Sequence, residues 1–178
     1  IATGSHPAIP PIEGLKDVNY LSNENIFDLN ELPKSLIVLG GGPIGVELSQ
    51  ALHRLGTQVT IVEMAERILS REEPELAQIV ADRLRKEGLK ILTGKKAVRV
   101  TKNNGQVTIT LEDRTGEKED VLADNVLVAV GRAPNIEGLD LGKANVEFSN
   151  KGIEVNKYLQ TTNSDIFACG DVAGPYQF

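Results

Sequence analysis

Short apolar runs and helix-length amphipathic stretches alternate along the first half of the chain. Ser35-Leu36-Ile37-Val38-Leu39 has the pattern of a buried strand. The next stretch carries Ile44, Leu48, Ala51, Leu52 and Leu55 at helical spacing, predicting a helix buried on that face and stopped at Gly56. A second strand is predicted over Gln58 to Val62. A second helix follows Pro74, with Leu76, Ile79, Val80 and Leu84 inward and Gly88 as its stop. Leu89-Lys90-Ile91-Leu92 reads as a third parallel strand.

After Gly94 the period shortens. Ala97 to Thr101 and Val107 to Leu111 are β-rich runs separated by Asn103-Asn104-Gly105, a hairpin signal. A turn near Arg114-Thr115-Gly116 leads to a third, polar strand, and Asp124 to Val130 reads as a buried strand rejoining the parallel sheet. The order βαβαβ, meander, closing strand predicts a compact α/β domain. Asp165-Ile166-Phe167-Ala168 reads as a further strand. Residues 1–34, with Pro7, Pro10, Pro11, Gly14 and Pro33, read as a connecting segment rather than a core element.

Composition narrows the partners more than the fold. The 178 residues, 40% hydrophobic and 25% charged, suffice for one good core and some extra chain. A net charge of −6 argues against nucleic acid and against an anionic membrane surface. No apolar run approaches the ~20 residues of a membrane span. The single cysteine, Cys169, excludes an intrachain disulfide and a multi-cysteine metal site. One free thiol suits a reducing, cytoplasmic setting. With no activating partner in view, Cys169 is expected to be a small buried residue. His6 and His53 make no ligand spacing, so no metal site is expected, and His53 is expected as a solvated neighbour of the first helix's core face. The chain opens at Ile1 and stops at Phe178 in what reads as a functional loop, so it is expected to be a stretch of a longer protein.

The candidate chemistry sits between the first strand and the first helix. There the sequence reads Gly40-x-Gly42-x-x-Gly45, with Pro43 and Ile44 opening the helix. Glu63 ends the second strand about 20 residues on, which completes a dinucleotide fingerprint. Gly40 is expected to permit the tight turn, Gly42 to let a pyrophosphate approach, and Gly45 to let helix and strand pack closely. The phosphates would meet unpaired N–H groups and the positive end of the helix dipole. The predicted fold is therefore a Rossmann-like three-layer NAD(P)-binding domain with a parallel sheet and an antiparallel meander. A carboxylate at Glu63 accepts hydrogen bonds from ribose hydroxyls and repels a 2′-phosphate, favouring NAD over NADP. Arg67, four residues on, is the rival feature that would favour NADP. Gly131 is a candidate for backbone contact with the same cofactor, at the end of the closing strand.

Four separated motifs then form one pattern: Ala2-Thr3-Gly4, the glycine fingerprint with Glu47 and Glu63, Gly131-Arg132-x-Pro134-Asn135, and Ile166-Phe167-Ala168-Cys169-Gly170-Asp171. In this order they resemble the flavin-dependent pyridine nucleotide–disulfide oxidoreductases, among them dihydrolipoamide dehydrogenase, glutathione reductase and mercuric reductase. The resemblance implies that residues 1–29 hold a linker and the end of a FAD-domain segment. It makes residues 30–148 the NAD(P)-binding domain and 149–178 the return to the FAD domain. It also implies that Gly170 and Asp171 meet FAD, and that Glu47, read as lying in the helix's first turn, stands near nicotinamide and flavin. Arg132 is expected to organise its turn or the domain junction. Tyr176 and Gln177 are candidates near the flavin edge, and the Gln177-Phe178 pair is similar to the mercuric reductase branch. That branch is typically NADP-selective, from which Glu63 departs.

The implied parent is a FAD-dependent enzyme, a homodimer by resemblance, that passes hydride from NAD(P)H to FAD and then to a redox disulfide outside this chain. No catalytic residue is assigned within the chain, which is expected to bind NAD(H), to bind FAD only with the missing domain, and to be inactive alone. Two alternatives stay open: an NADH oxidase or ferredoxin-reductase-type flavoprotein without a redox disulfide, and a non-catalytic dinucleotide-binding module.

Overall fold

The computed structural model describes residues 1–174, and the chain divides into two compact units. Ile1–Ala8 and the chain from Gly131 onward form one unit, and Ile9–Val130 forms the other. Tyr176 and Gln177 lie outside the described residues. In chain order the elements are β1 (Ser5–Pro7), β2 (Ser35–Leu39), α1 (Pro43–Arg54), β3 (Gln58–Glu63), α2 (Pro74–Glu87) and β4 (Lys90–Thr93). They continue with β5 (Lys95–Asn103), β6 (Gln106–Asp113), β7 (Lys118–Ala123), β8 (Asn125–Val128), β9 (Arg132–Pro134), β10 (Phe148–Ser149) and β11 (Gly152–Ile153).

The unit of residues 9–130 is a three-layer α/β fold. Its parallel sheet runs β4-β3-β2-β8, and β5-β6-β7 form a separate antiparallel meander. Successive strand residues point to opposite faces of a sheet, and this alternation builds two cores. Leu36 and Val38 pack with Val46 and Leu52 of α1 and with Ala81 and Leu84 of α2. Ile37 and Leu39, one residue out of phase, pack with Val100, Ile109 and Leu111 of the meander. A strand between two apolar layers needs apolar residues at every position, which is why β2 reads as a continuous run. Asn104-Gly105 closes the β5–β6 hairpin as a two-residue turn.

The buried faces of both helices differ from those that periodicity predicts. On α1 the buried stripe is Gly45, Val46, Ser49 and Leu52, while Ala51 and Leu55 face outward. On α2 it is Ala77, Ala81 and Leu84, with Leu76 61% and Ile79 65% exposed. Small residues, Gly45 and Ser49 on α1 and Ala77 and Ala81 on α2, share these buried faces with Val46, Leu52 and Leu84, and they let the helix backbones come close to the sheet. Residues 9–29 are not a mere connector. Leu15 and Val18 enter the meander-side core and Leu21 and Ile26 the helix-side core. Leu21 also pairs with β8, donating to the Val126 carbonyl at 2.8 Å and accepting from Val128 N–H at 2.8 Å, which satisfies an otherwise bare sheet edge.

The other unit holds two antiparallel pairs, β1–β9 and β10–β11, around a core of Leu141, Val146, Ile153, Ala168, Val172 and Ala173. Residues 165–168 form no strand. Phe167 makes one bridge to Gln160, while the neighbouring backbone is used in turns: Asp165 N–H bonds the Asn163 side chain and Thr161 N–H the Ile166 carbonyl. The units part at Ala8/Ile9 and Val130/Gly131 rather than near residues 29 and 148. The side chains of residues 9–29 belong to one core, and Leu141 and Val146 belong to another. Among the described residues no helix is long and apolar enough to cross a membrane.

Candidate functional site

β2 delivers the chain into a turn of three glycines. Gly40 has φ 109°, its N–H donates to the Val62 carbonyl at 2.9 Å, and a Cβ on it would strike the Ala129 carbonyl. A Cβ on Gly45 would strike the Gly40 carbonyl, so α1 begins in backbone contact with the turn. Gly42 precedes α1 in an extended conformation, and no atom lies within 4 Å of where its Cβ would be. That face of the turn is open. No side chain caps α1, and Pro43 at its start brings no N–H. Helix geometry leaves the Ile44 and Gly45 amides without intrahelical acceptors at this end. Glu47 lies one turn further along and is exposed, not in the first turn as expected, because Pro43 starts the helix.

Glu63, at the end of β3, is tied to this turn. Its Oε2 accepts the Gly41 N–H at 2.6 Å and its Oε1 accepts the Ala65 N–H at 2.7 Å. A carboxylate has about four acceptor positions, so both oxygens keep capacity for further donors. Gly41, absent from the sequence-based set, is buried against Ile68 and Glu63, and its carbonyl accepts Leu69 N–H at 2.7 Å. The run Gly40-Gly41-Gly42 was its only signal. The Arg67 guanidinium turns into its own loop, donating to the Ser70 carbonyl at 2.8 and 3.1 Å and to the Glu72 carbonyl at 3.1 Å.

Glu87 and Asp113 have strongly lowered pKa values. Hydrogen bonds from Arg54, then Arg83, hold Glu87 at about 2. The Thr115 hydroxyl, aided by backbone N–H groups and Lys95, holds Asp113 at about 2. His53 is partly buried rather than solvated, with Nδ1 3.0 Å from the Thr57 carbonyl and Nε2 2.8 Å from the Glu87 carbonyl.

The remaining candidates lie in the other unit, where three motifs meet. Asn135 N–H donates to the Gly4 carbonyl at 2.9 Å. Thr3 Oγ1 donates to the Asn135 carbonyl at 2.7 Å, and Asn135 Nδ2 returns a bond to the Thr3 carbonyl at 2.8 Å. His6 Nδ1 lies 2.6 Å from Asn135 Oδ1. Arg132 donates from Nε to Ser5 Oγ at 2.6 Å and from Nη2 to the Ser5 carbonyl at 2.8 Å. Ser5 Oγ then donates to Asp171 Oδ2 at 2.5 Å, with Arg132 Nε 3.4 Å from the same oxygen. Gly131 is exposed with φ 139°, and its carbonyl accepts Ala8 N–H at 3.0 Å. Gly170 is also exposed and leads into a short turn over Asp171–Ala173. Cys169 is exposed, correcting the expectation of burial: Ala168 joins the core of this unit, whereas Cys169 is outside it. The cross-links through Ser5, His6 and Asn135 had no signal in the sequence, since each joins residues far apart along it.

Residues 1–178 match the family described as pyridine nucleotide-disulphide oxidoreductase. The chain is 41% identical over 179 residues to a mercuric reductase of Staphylococcus aureus, covering 100% of this chain and 32% of that protein. It is 39% identical over 178 residues to a dihydrolipoyl dehydrogenase of Bacillus subtilis (strain 168), covering 99% and 38%. The solved structure of the HOCl-induced flavoprotein disulfide reductase RclA from Escherichia coli matches with a TM-score of 0.89 at 32% identity, over 99% of this chain and 40% of that one. The chain thus spans about a third of the length of the curated relatives it matches. Such oxidoreductases use FAD and a pyridine nucleotide. With the family match running through both compact units and the fold shared with a flavoprotein disulfide reductase, the chain belongs to the pyridine nucleotide-disulphide oxidoreductases.

Proposed function

We propose that the unit of residues 9–130 acts as the NAD(P)H-binding domain of a FAD-dependent oxidoreductase, with NAD(H) preferred, and that residues 1–8 and 131–178 belong to its FAD domain. The observation that carries this reading is the open face at Gly42, beside an uncapped helix start and within the turn that Glu63 braces. When bound, NADH would supply hydride to flavin, and the flavin would supply electrons to a redox disulfide outside this chain. This chain's residues hold and orient. Gly42 leaves room for a pyrophosphate, and Pro43, Ile44 and Gly45 present the helix end to it. Gly40 and Gly45 bring helix and strand together beneath it. Glu63 keeps acceptor capacity for ribose hydroxyls. Glu47, exposed on α1, is assigned to the nicotinamide end of the cofactor. Gly170 and Asp171 serve the FAD side. There Ser5 and Arg132 hold the Asp171 carboxylate.

The NAD preference rests on charge. Glu63 places a carboxylate where a 2′-phosphate would come, and Arg67 already donates to loop carbonyls. By family resemblance the whole protein is a cytoplasmic homodimer that exchanges electrons either with a metal ion, as the name mercuric reductase implies, or with a small dithiol–disulfide couple, as the name dihydrolipoyl dehydrogenase implies. The test is calorimetric titration of this chain with NADH and NADPH, repeated on Glu63→Gln. The amide keeps an acceptor oxygen for the turn and removes the charge. NADH is expected to bind about tenfold more tightly than NADPH, equivalent to about 1.4 kcal/mol, with the ratio shrinking in the variant. Tighter NADPH binding, or no binding of either, overturns the reading.

A further inference from the structure

We propose that Arg67 is a positioning residue for the dinucleotide site and not a ligand of the cofactor. The proposal rests on the reading of the glycine turn as that site. The chain leaving β3 folds back on the turn and touches it through Gly41 on two sides. Glu63 Oε2 takes the Gly41 N–H at 2.6 Å, and Leu69 N–H donates to the Gly41 carbonyl at 2.7 Å. Ile68, 1% exposed, packs against the same glycine.

This second contact requires an unfavourable backbone. Leu69 has φ 50°, a left-handed conformation that an L-residue with a branched side chain adopts only when its surroundings impose it. The imposing group is Arg67. Its two terminal nitrogens bind the carbonyls of Ser70 and Glu72, just beyond Leu69, and Glu72 N–H donates to the Leu69 carbonyl at 2.9 Å. A planar guanidinium clamps two carbonyls at a fixed separation, which a single ammonium does not reproduce. Arg67 therefore holds Leu69 in place, Leu69 holds the Gly41 carbonyl, and the turn is set before any ligand arrives. Pre-ordering of this kind removes an ordering cost from binding.

The two roles for Arg67 differ in what they predict. A 2′-phosphate ligand would affect NADPH alone. A strut for Gly41 affects every dinucleotide equally, because each uses the same turn. The experiment takes the full chain with Arg67→Ala and Arg67→Lys. It combines calorimetry against NADH and NADPH with residue-resolved amide hydrogen exchange in the absence of nucleotide.

In Arg67→Ala both affinities are expected to fall by a common factor of about three to ten. The Leu69 and Gly41 amides should exchange faster, while those of Ile37 and Ile61 in the sheet stay protected. Gly41 is not bonded to Arg67, so its exchange reports the relay rather than the loss of one contact. Arg67→Lys should fall between wild type and Arg67→Ala. A loss confined to NADPH overturns the proposal, as does unchanged exchange at Gly41. Unaltered NADH affinity in Arg67→Ala, with normal wild-type binding, sinks this proposal alone. A wild-type chain that binds neither dinucleotide sinks the site reading as well.

Discussion

Gly40 and Gly45 occupy one point of contact from two sides. The Gly40 carbonyl sits where a Gly45 Cβ would be, and the Ala129 carbonyl sits where a Gly40 Cβ would be. Backbone atoms cannot swing aside as a flexible side chain does. Gly45→Ala is therefore expected to cost about 1–3 kcal/mol of stability, read from urea unfolding midpoints, and to weaken NADH binding in parallel. Equal stability in the variant would mean that α1 slides away from the turn without penalty. The spacing of these two glycines was legible because the fingerprint is a local pattern. Gly41 was not, because its need for glycine comes from Ile68, which lies beyond α1 and β3 in sequence but packs on it in space. Arg67 was legible only as a nearby cation; its direction depends on carbonyls that the folded loop presents.

At the scale of elements, the C-terminal ends of α1 and α2 are fastened together. Glu87 of α2 receives Arg54 and Gln50 of α1 and Arg83 of its own helix, and His53 of α1 reaches its carbonyl at 2.8 Å. These bonds favour the charged carboxylate and lower its pKa from 4.5 to about 2. The stability they contribute is fully present above about pH 4.5 and is lost progressively as the pH falls toward 2. Asp113, lowered from 3.8 to about 2 chiefly by Thr115, acts with the same sign. Glu87→Gln should therefore lower the urea midpoint at pH 6 and flatten its fall between pH 4.5 and about 2, leaving the share due to Asp113. An unchanged slope would show that Glu87 is equally paired in the unfolded chain. Helix positions were readable from Pro74, Gly56 and Gly88, whereas the buried faces were not. Periodicity ranks Leu55, Leu76 and Ile79 above alanine and glycine, yet close helix–sheet approach selects the small residues.

For the whole molecule, one sequence property limits the chemistry. The chain holds a single cysteine, Cys169, and thiol–disulfide exchange by a redox pair needs two. With NADH, FAD and a small disulfide substrate added, this chain is expected to show no sustained NADH consumption at 340 nm beyond that of free flavin, while still binding NADH. Turnover on its own would overturn the assignment of its role to holding cofactor. Pro and Gly density over residues 1–34 reads as a connector, yet Leu15, Val18, Leu21 and Ile26 are core residues, because burial depends on contacts distant in sequence.

The sequence by itself determined the order of strands and helices in residues 35–130, the glycine turn, the acid at the end of β3 and the family. Each of these is written in short-range patterns: alternation, helical period, turn residues and motif spacing. Tertiary structure alone decided which helix faces are buried and that residues 9–29 complete the cores. It alone decided that Thr3, Ser5 and His6 meet Asn135, Arg132 and Asp171, and that Arg67 serves its own loop. These are contacts whose geometry depends on where the backbone has already gone, and no local pattern encodes them.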